Sequence, residues 1–161
     1  MPKEFKNDIK NYKNLVLVKE HMRVSKSITM TGEVPRENDL EIPENMFTIQ
    51  NGLIVKDIML DDNSIFIDIG DSIFLVSGCS HAGIVNIKNY AENLSGKNVK
   101  YILGGLHLLN ASRERIDFTI KNLGDTELFL GHCTGDAAIQ KMKDAFGDKV
   151  KRIYSGFEVE L

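Results

Sequence analysis

The chain has 161 residues, 42% of them apolar and 27% charged, with a formal net charge of −3. That composition is ordinary for a globular protein and long enough for one domain with a hydrophobic core. The mild negative charge gives no footprint for a polyanion, and no apolar run approaches the roughly 20 residues that span a bilayer, so neither nucleic acid nor membrane is an expected partner.

In chain order, Met1 to Tyr12 is polar and Lys-rich, without the apolar core of a signal peptide. A strand is expected at Asn14–Val18 and a shorter one near Ile28–Thr31, while Pro35, Pro43 and the stretch Arg36–Asn45 read as an extended loop. Residues 1–45 are therefore read as a polar segment and loop, and residues 46–161 as the folded unit. Met46–Ile49 and Leu53–Leu60 flank Asn51-Gly52, a strong hairpin signal. Ser64–Ile69 turns at Gly70-Asp71 into Ser72–Ser77, whose Ile73–Val76 run is apolar on both faces and suits a buried strand.

From there strands alternate with helices. The apolar spacing predicts helices over Gly83–Leu94, Ser112–Leu123 and Asp136–Phe146, separated by strands at Val99–Leu103 and Glu127–Leu130. Two short strands, Val150–Tyr154 and Phe157–Leu161, are expected to close the chain. Hairpins followed by strand–helix units imply an α/β (α+β) fold, a mixed sheet with helices packed outside it.

Three of the four histidines share one local context. His81 follows its strand through Gly78-Cys79-Ser80, His107 through Gly104-Gly105-Leu106, and His132 through Gly131. A single histidine so placed is more commonly a hydrogen-bonded core residue. Three strand–Gly–His units point instead to a shared site, at the rim where α/β sheets bind ligands. Imidazole suits zinc, iron or manganese. His21 lacks this context and reads as a surface residue.

Cys79, two residues before His81, is either a thiolate ligand or a small buried thiol. Cys133, beside His132, would point away from a site that His132 faces if the backbone there is extended, which makes it structural. Two cysteines are too few for a disulfide framework, and reduced thiols beside histidines give a cytoplasmic location as the expectation. Asp61-Asp62 reads as a turn, and Thr134 and Asp136 as caps for the last helix. The glycines match neither phosphate-loop pattern.

The run Phe74-Leu75-Val76-Ser77-Gly78-Cys79-Ser80-His81-Ala82-Gly83-Ile84-Val85-Asn86 resembles the C-terminal half of a metallo-β-lactamase-superfamily group. Ile102-Leu103-Gly104-Gly105-Leu106-His107-Leu108 and Gly131-His132-Cys133-Thr134-Gly135 follow in the same order, and Thr31-Gly32-Glu33-Val34-Pro35-Arg36 fits upstream. The group contains dihydropterin-ribofuranosylaminobenzene phosphate synthases and proteins described as metal-dependent hydrolases. The resemblance implies half of an αββα sandwich with metals at the sheet rim, zinc first, with manganese, iron or magnesium as alternatives. It places His132 at the last metal-binding histidine and His107 at a proton donor near the leaving group. Cys79 falls about where most members carry a bridging aspartate, with His81 substituting as a ligand.

No H-x-H-x-D-H occurs in these residues, although the superfamily draws most ligands of its first metal from that motif. His81 and His132 alone fall short of the three protein ligands a zinc site needs. The resemblance thus implies a metal-dependent hydrolase of phosphoester-type small molecules, incomplete without an N-terminal half bearing the motif. The alternatives are the synthase activity, a transferase, and a non-catalytic half-domain that binds a partner or a second copy of itself.

Overall fold

The computed structural model describes residues 9, 11–42 and 46–160. Its main sheet has seven strands in the spatial order β1 (Met22–Arg23), β2 (Ile28–Met30), β5 (Ser64–Asp68), β6 (Ile73–Ser77), β7 (Val99–Gly104), β8 (Glu127–Leu130) and β9 (Val150–Arg152). A separate hairpin pairs β3 (Phe47–Gln50) with β4 (Leu53–Lys56) across Asn51-Gly52. β1, β2, β5 and β6 run antiparallel to their neighbours, and β6 through β9 run parallel.

The parallel half needs a crossover between each pair of strands, and three helices supply them: α1 (Ile84–Ser95), α2 (Arg113–Leu123) and α3 (Asp136–Phe146). Because the strands advance in one direction and such crossovers are right-handed, the helices cover the same face. Ile73, Leu75, Ile102, Leu128 and Leu130 pack beneath them against Ile84, Ile87, Ile116, Leu123, Ile139 and Met142. This is a mixed α/β sheet with helices outside, as the hydrophobic pattern implied.

Alternation sends the intervening side chains to the other face. There Phe74, Tyr101 and Phe129 form a chain of ring contacts, with centroids 5.9–6.3 Å apart, and Phe157 caps Phe129. Ile65, Ile67, Val76 and Leu103 on the same face are only half-buried. One side of the sheet is thus a closed core, and the other is an apolar face buried at Phe74 and Phe129 and half-buried elsewhere.

Two of the expected strands need correction. Asn14–Val18 forms no strand; it has no ladder partner, and Val16 and Leu17 are exposed. Phe157–Glu160 is irregular, because Phe157 spends its apolar surface on Phe129 rather than on a ladder; Leu161 lies outside the described residues. Most of the polar start (residues 1–8 and 10) and the end of the expected loop, residues 43–45 including Pro43, also lie outside them.

The rest of that loop is not featureless. Asp39–Glu41 is a 3-10 turn that Asn38 caps, and it delivers a buried carboxylate to α1. α1 begins after Gly83, which offers no capping side chain. Glu41 instead accepts from the Val85 and Asn86 N–H groups at 3.0 and 3.1 Å. A negative charge at the start of a helix satisfies orphan donors and complements the macrodipole.

Candidate metal and catalytic site

β6, β7 and β8 are adjacent and parallel, so the turns that follow them meet at one rim. Backbone hydrogen bonds stitch these turns together. Gly105 N–H donates to Gly78 C=O at 2.9 Å, and the Leu108 and Leu109 N–H groups both donate to Cys133 C=O at 3.0 Å. Leu106 N–H donates to Thr134 Oγ1 at 3.0 Å, so Thr134 anchors this loop, and the residue that precedes α3 is Gly135. Ser80 Oγ, fully buried, donates to Gly105 C=O at 2.7 Å.

The turns are tight enough to force unusual backbone. Ser80, His107 and His132 have φ of 58°, 51° and 50°. Left-handed non-glycine residues cost about 1–3 kcal/mol each and persist where the surroundings over-determine them. Gly104, at φ 144°, shows how close the strands come, because a Cβ there would lie 1.9 Å from Ser77 O.

The three histidines arrive at this rim in two groupings. His81 and His107 form one, with ring centroids 4.4 Å apart and planes tilted by 58°. His132 belongs to the other: one of its ring nitrogens and the Cys79 and Cys133 sulfurs lie within 4.8 Å of one another. His21 is exposed and apart from both.

Cys133 is therefore not turned away. The reading from an extended backbone fails because His132–Thr134 is a 3-10 turn entered at positive φ, which swings Cys133 inward. Its thiol reaches Cys79 C=O at 3.5 Å. Asp62 also does more than turn the chain. Its Oδ2 accepts from Ala82 N–H, next to His81, at 2.9 Å, and its charge is felt by both Cys79 and His107. The only hint in the sequence was its position just before a strand that pairs with β6.

Burial pushes the Cys79 thiol up to about 11, reinforced by its hydrogen bond to Cys133 and by the charges of Cys133 and Asp62. Burial also lowers the His107 pKa, helped by His81 and Arg115 and opposed by Asp62. His107 and Cys133 line a cavity of about 420 Å³ together with Asp39, Ser112 and Arg115.

The donor set fits a metal. His81 Nδ1 is buried and has no hydrogen-bond partner among the described residues; buried polar atoms are rarely left so without a reason. Imidazole, thiol and carboxylate groups converging on one rim are a set that a divalent cation would satisfy.

No protein-family model matches the chain. In sequence it is 32% identical over 149 residues to the 7,8-dihydropterin-6-methyl-4-(β-D-ribofuranosyl)-aminobenzene-5′-phosphate synthase of Methanocaldococcus jannaschii, covering 88% of this chain and 51% of that protein. An uncharacterized protein of the same organism is 33% identical over 141 residues, covering 86% and 52%. The chain thus spans about half the length of the curated relatives it matches. Among solved structures, a metal-dependent hydrolase of the β-lactamase superfamily superposes with a TM-score of 0.86 at 24% identity, over 98% of this chain and 62% of that one. With its mixed sheet and crossover helices, the chain has the metallo-β-lactamase fold.

Proposed function

We propose that the chain is the C-terminal part of a metal-dependent enzyme acting on phosphoester-type small molecules. Its site would be completed by a segment bearing H-x-H-x-D-H. One observation carries this reading. Three neighbouring parallel strands each end in a glycine turn that delivers a histidine to the same rim, beside a cavity large enough for a small substrate. The half-buried apolar face of the sheet supports the second clause, since it leaves a surface for another layer.

His81 and His132 would help hold the metal, zinc suiting the donors best. When bound, the metal supplies Lewis-acid charge that polarises a phosphoryl oxygen. The chain's own residues do the rest. Asp62 fixes the turn that presents His81 through the Ala82 N–H. His107, which lines the cavity, would donate a proton to the departing oxygen. An arriving phosphoester brings negative charge, which favours the imidazolium form that this role requires.

A second reading rests on the 32% identity to the synthase. There the same rim would hold a diphosphate leaving group and the reaction would be a transfer. Mixing the chain with a polypeptide bearing the missing motif distinguishes the two. Phosphodiester hydrolysis supports the first, and diphosphate release only in the presence of an acceptor supports the second. In the active mixture, His107→Ala should cut turnover by roughly 10²- to 10⁴-fold with metal content unchanged. Metal lost in step with activity would make His107 a ligand, and no activity of either kind would end both readings.

A further inference from the structure

We infer that Arg36 and Asn86 are positioning residues for His81, acting through the two backbone groups of Ala82. Their bearing on catalysis rests on the proposed function, in which His81 helps hold the metal. His81 stands on a turn entered at Ser80 with φ 58°, and the fully buried Ala82 follows it. Ala82 N–H donates to Asp62 Oδ2 at 2.9 Å, and Ala82 C=O accepts from Asn86 Nδ2 at 2.8 Å. Each polar group of the residue after His81 is thus held by a side chain.

Both of those side chains answer to one segment, residues 31–38. Its start is moored beside β5, where Thr31 Oγ1 accepts from Ser64 N–H at 3.0 Å and Gly32 N–H donates to Asn63 Oδ1 at 3.2 Å. Arg36 then donates to Val34 C=O and, through Nη2, to Ile58 C=O at 2.9 Å and to Met59 C=O. Met59 C=O also accepts from Asp62 N–H at 3.1 Å, so one oxygen ties Arg36 to the residue that holds the Ala82 N–H. Met59 lies at φ 53°, a conformation that persists only where its surroundings enforce it. Next in the chain, Glu37 N–H and Asn38 Nδ2 donate to Asn86 Oδ1 at 3.1 and 2.8 Å. That pair fixes the Asn86 carboxamide with its Nδ2 toward Ala82 C=O.

Ion pairing and core packing account for neither residue. A guanidinium carries several fixed donors, and Arg36 spends its own on carbonyls. Its Nε is buried without a hydrogen-bond partner, and it enters no ion pair, among the described residues. A half-buried cation held this way gives up hydration to clamp the loop. Asn86 is buried in the first turn of α1, where an apolar side chain would need no hydrogen bonds at all. Two relays therefore converge on the residue beside His81, one on its N–H and one on its C=O. Misplacing a reacting group by about 1 Å can cost on the order of 100-fold in rate, so such relays matter to turnover.

The test uses the full chain, alone and mixed with a polypeptide bearing H-x-H-x-D-H. In the chain alone, two NMR signals report on His81. One is the exchange rate of the Ala82 amide, and the other is cross-relaxation between the His81 and His107 rings, whose centroids lie 4.4 Å apart. Arg36→Met keeps an unbranched stem and removes the clamp, so Ala82 exchange should quicken by about 10-fold and the ring signal should weaken. The Ile87 amide, bonded to Gly83 C=O, should keep its protection. Arg36→Lys, which can still reach one carbonyl, should restore part of both signals, and Asn86→Ala should weaken the ring signal as Arg36→Met does. In the active mixture, Arg36→Met and Asn86→Ala should each lower kcat by roughly 10- to 100-fold, with KM changed by no more than about twofold. Equal loss of protection at Ala82 and Ile87 would mark a general loosening and overturn the positioning role. An unchanged Ala82 rate and ring signal in Arg36→Met would overturn it as well, leaving the proposed activity standing. Were the wild-type mixture inactive, the proposed function would fall, and the two signals of the chain alone would still decide whether Arg36 and Asn86 hold His81.

Discussion

At the rim where β6, β7 and β8 end, positive φ falls on Met59, Ser80, His107 and His132, and the glycines there other than Gly78 are crowded. A Cβ on Gly83, Gly104 or Gly135 would meet a neighbour at 2.7 Å or less. At the opposite rim, positive φ falls on Gly70, Gly96, Gly124 and Gly147, each with open space where a Cβ would go. Polar groups there pair simply: Lys97 bonds both Asp68 oxygens at 2.6 and 2.8 Å, and Thr126 Oγ1 donates to Leu123 C=O at 2.7 Å. One rim turns the chain by the cheapest means and satisfies what it exposes. The other holds strained side chains in place and leaves His81 Nδ1 without a partner among the described residues. Strain that close packing must maintain is expected where residues are positioned for chemistry.

The contrast can be tested by substitution, beginning with the most crowded point. Gly104→Ala would drive a methyl into Ser77 O and add left-handed strain, costing about 3–5 kcal/mol. Gly96→Ala meets nothing within 4 Å and should show only the smaller cost of its positive φ. Denaturant midpoints of the pair measure the difference between the rims, and equal losses would break the comparison.

Glu41→Gln should come next, at about 2–3 kcal/mol, because a charge-assisted acceptor is replaced on one side by an amide donor facing a buried N–H. Thermal melting reads the loss. His132→Gly should act in the opposite direction and stabilise the metal-free chain by about 1 kcal/mol, the relief of positive φ exceeding the entropy cost of glycine. A drop in melting temperature would mean that His132 is not strained.

The smallest effect belongs to the quiet rim. Lys97 holds the Asp68 carboxyl below its ordinary value of 3.8, so its contribution is present above that pH and fades as pH falls through the lowered value. Wild type and Asp68→Asn should therefore differ slightly at neutral pH, less in high salt, and converge in acid. A gap that widened toward low pH would reverse the assigned sign.

Much of the strained rim was legible in the sequence. Gly78-Cys79-Ser80-His81, Gly104-Gly105-Leu106-His107 and Gly131-His132 mark strand ends by composition alone, and the period-3.6 runs between them announce crossover helices. What could not be read depends on angles or on distant partners. Cys133 faces inward because of one φ at His132, which no side-chain pattern encodes. Asn14–Val18 has the composition of a strand, yet a strand exists only where a ladder receives it. Asp62 looked like any turn carboxylate until β5 was seen beside β6, which sets it against Ala82.

The remote cap on α1 gives the molecule a built-in reporter. The Val85 and Asn86 amides are bonded not to their own helix but to Glu41, 44 and 45 residues earlier. Their rate of hydrogen exchange with solvent therefore measures whether residues 38–41 are docked, while the Ile87 amide, bonded to Gly83 C=O, measures the helix itself. If the segment lifts away as a unit, Val85 and Asn86 will exchange early and together while Ile87 stays protected. A site wall formed partly by Asp39 and Leu40 would then open without any loss of the sheet.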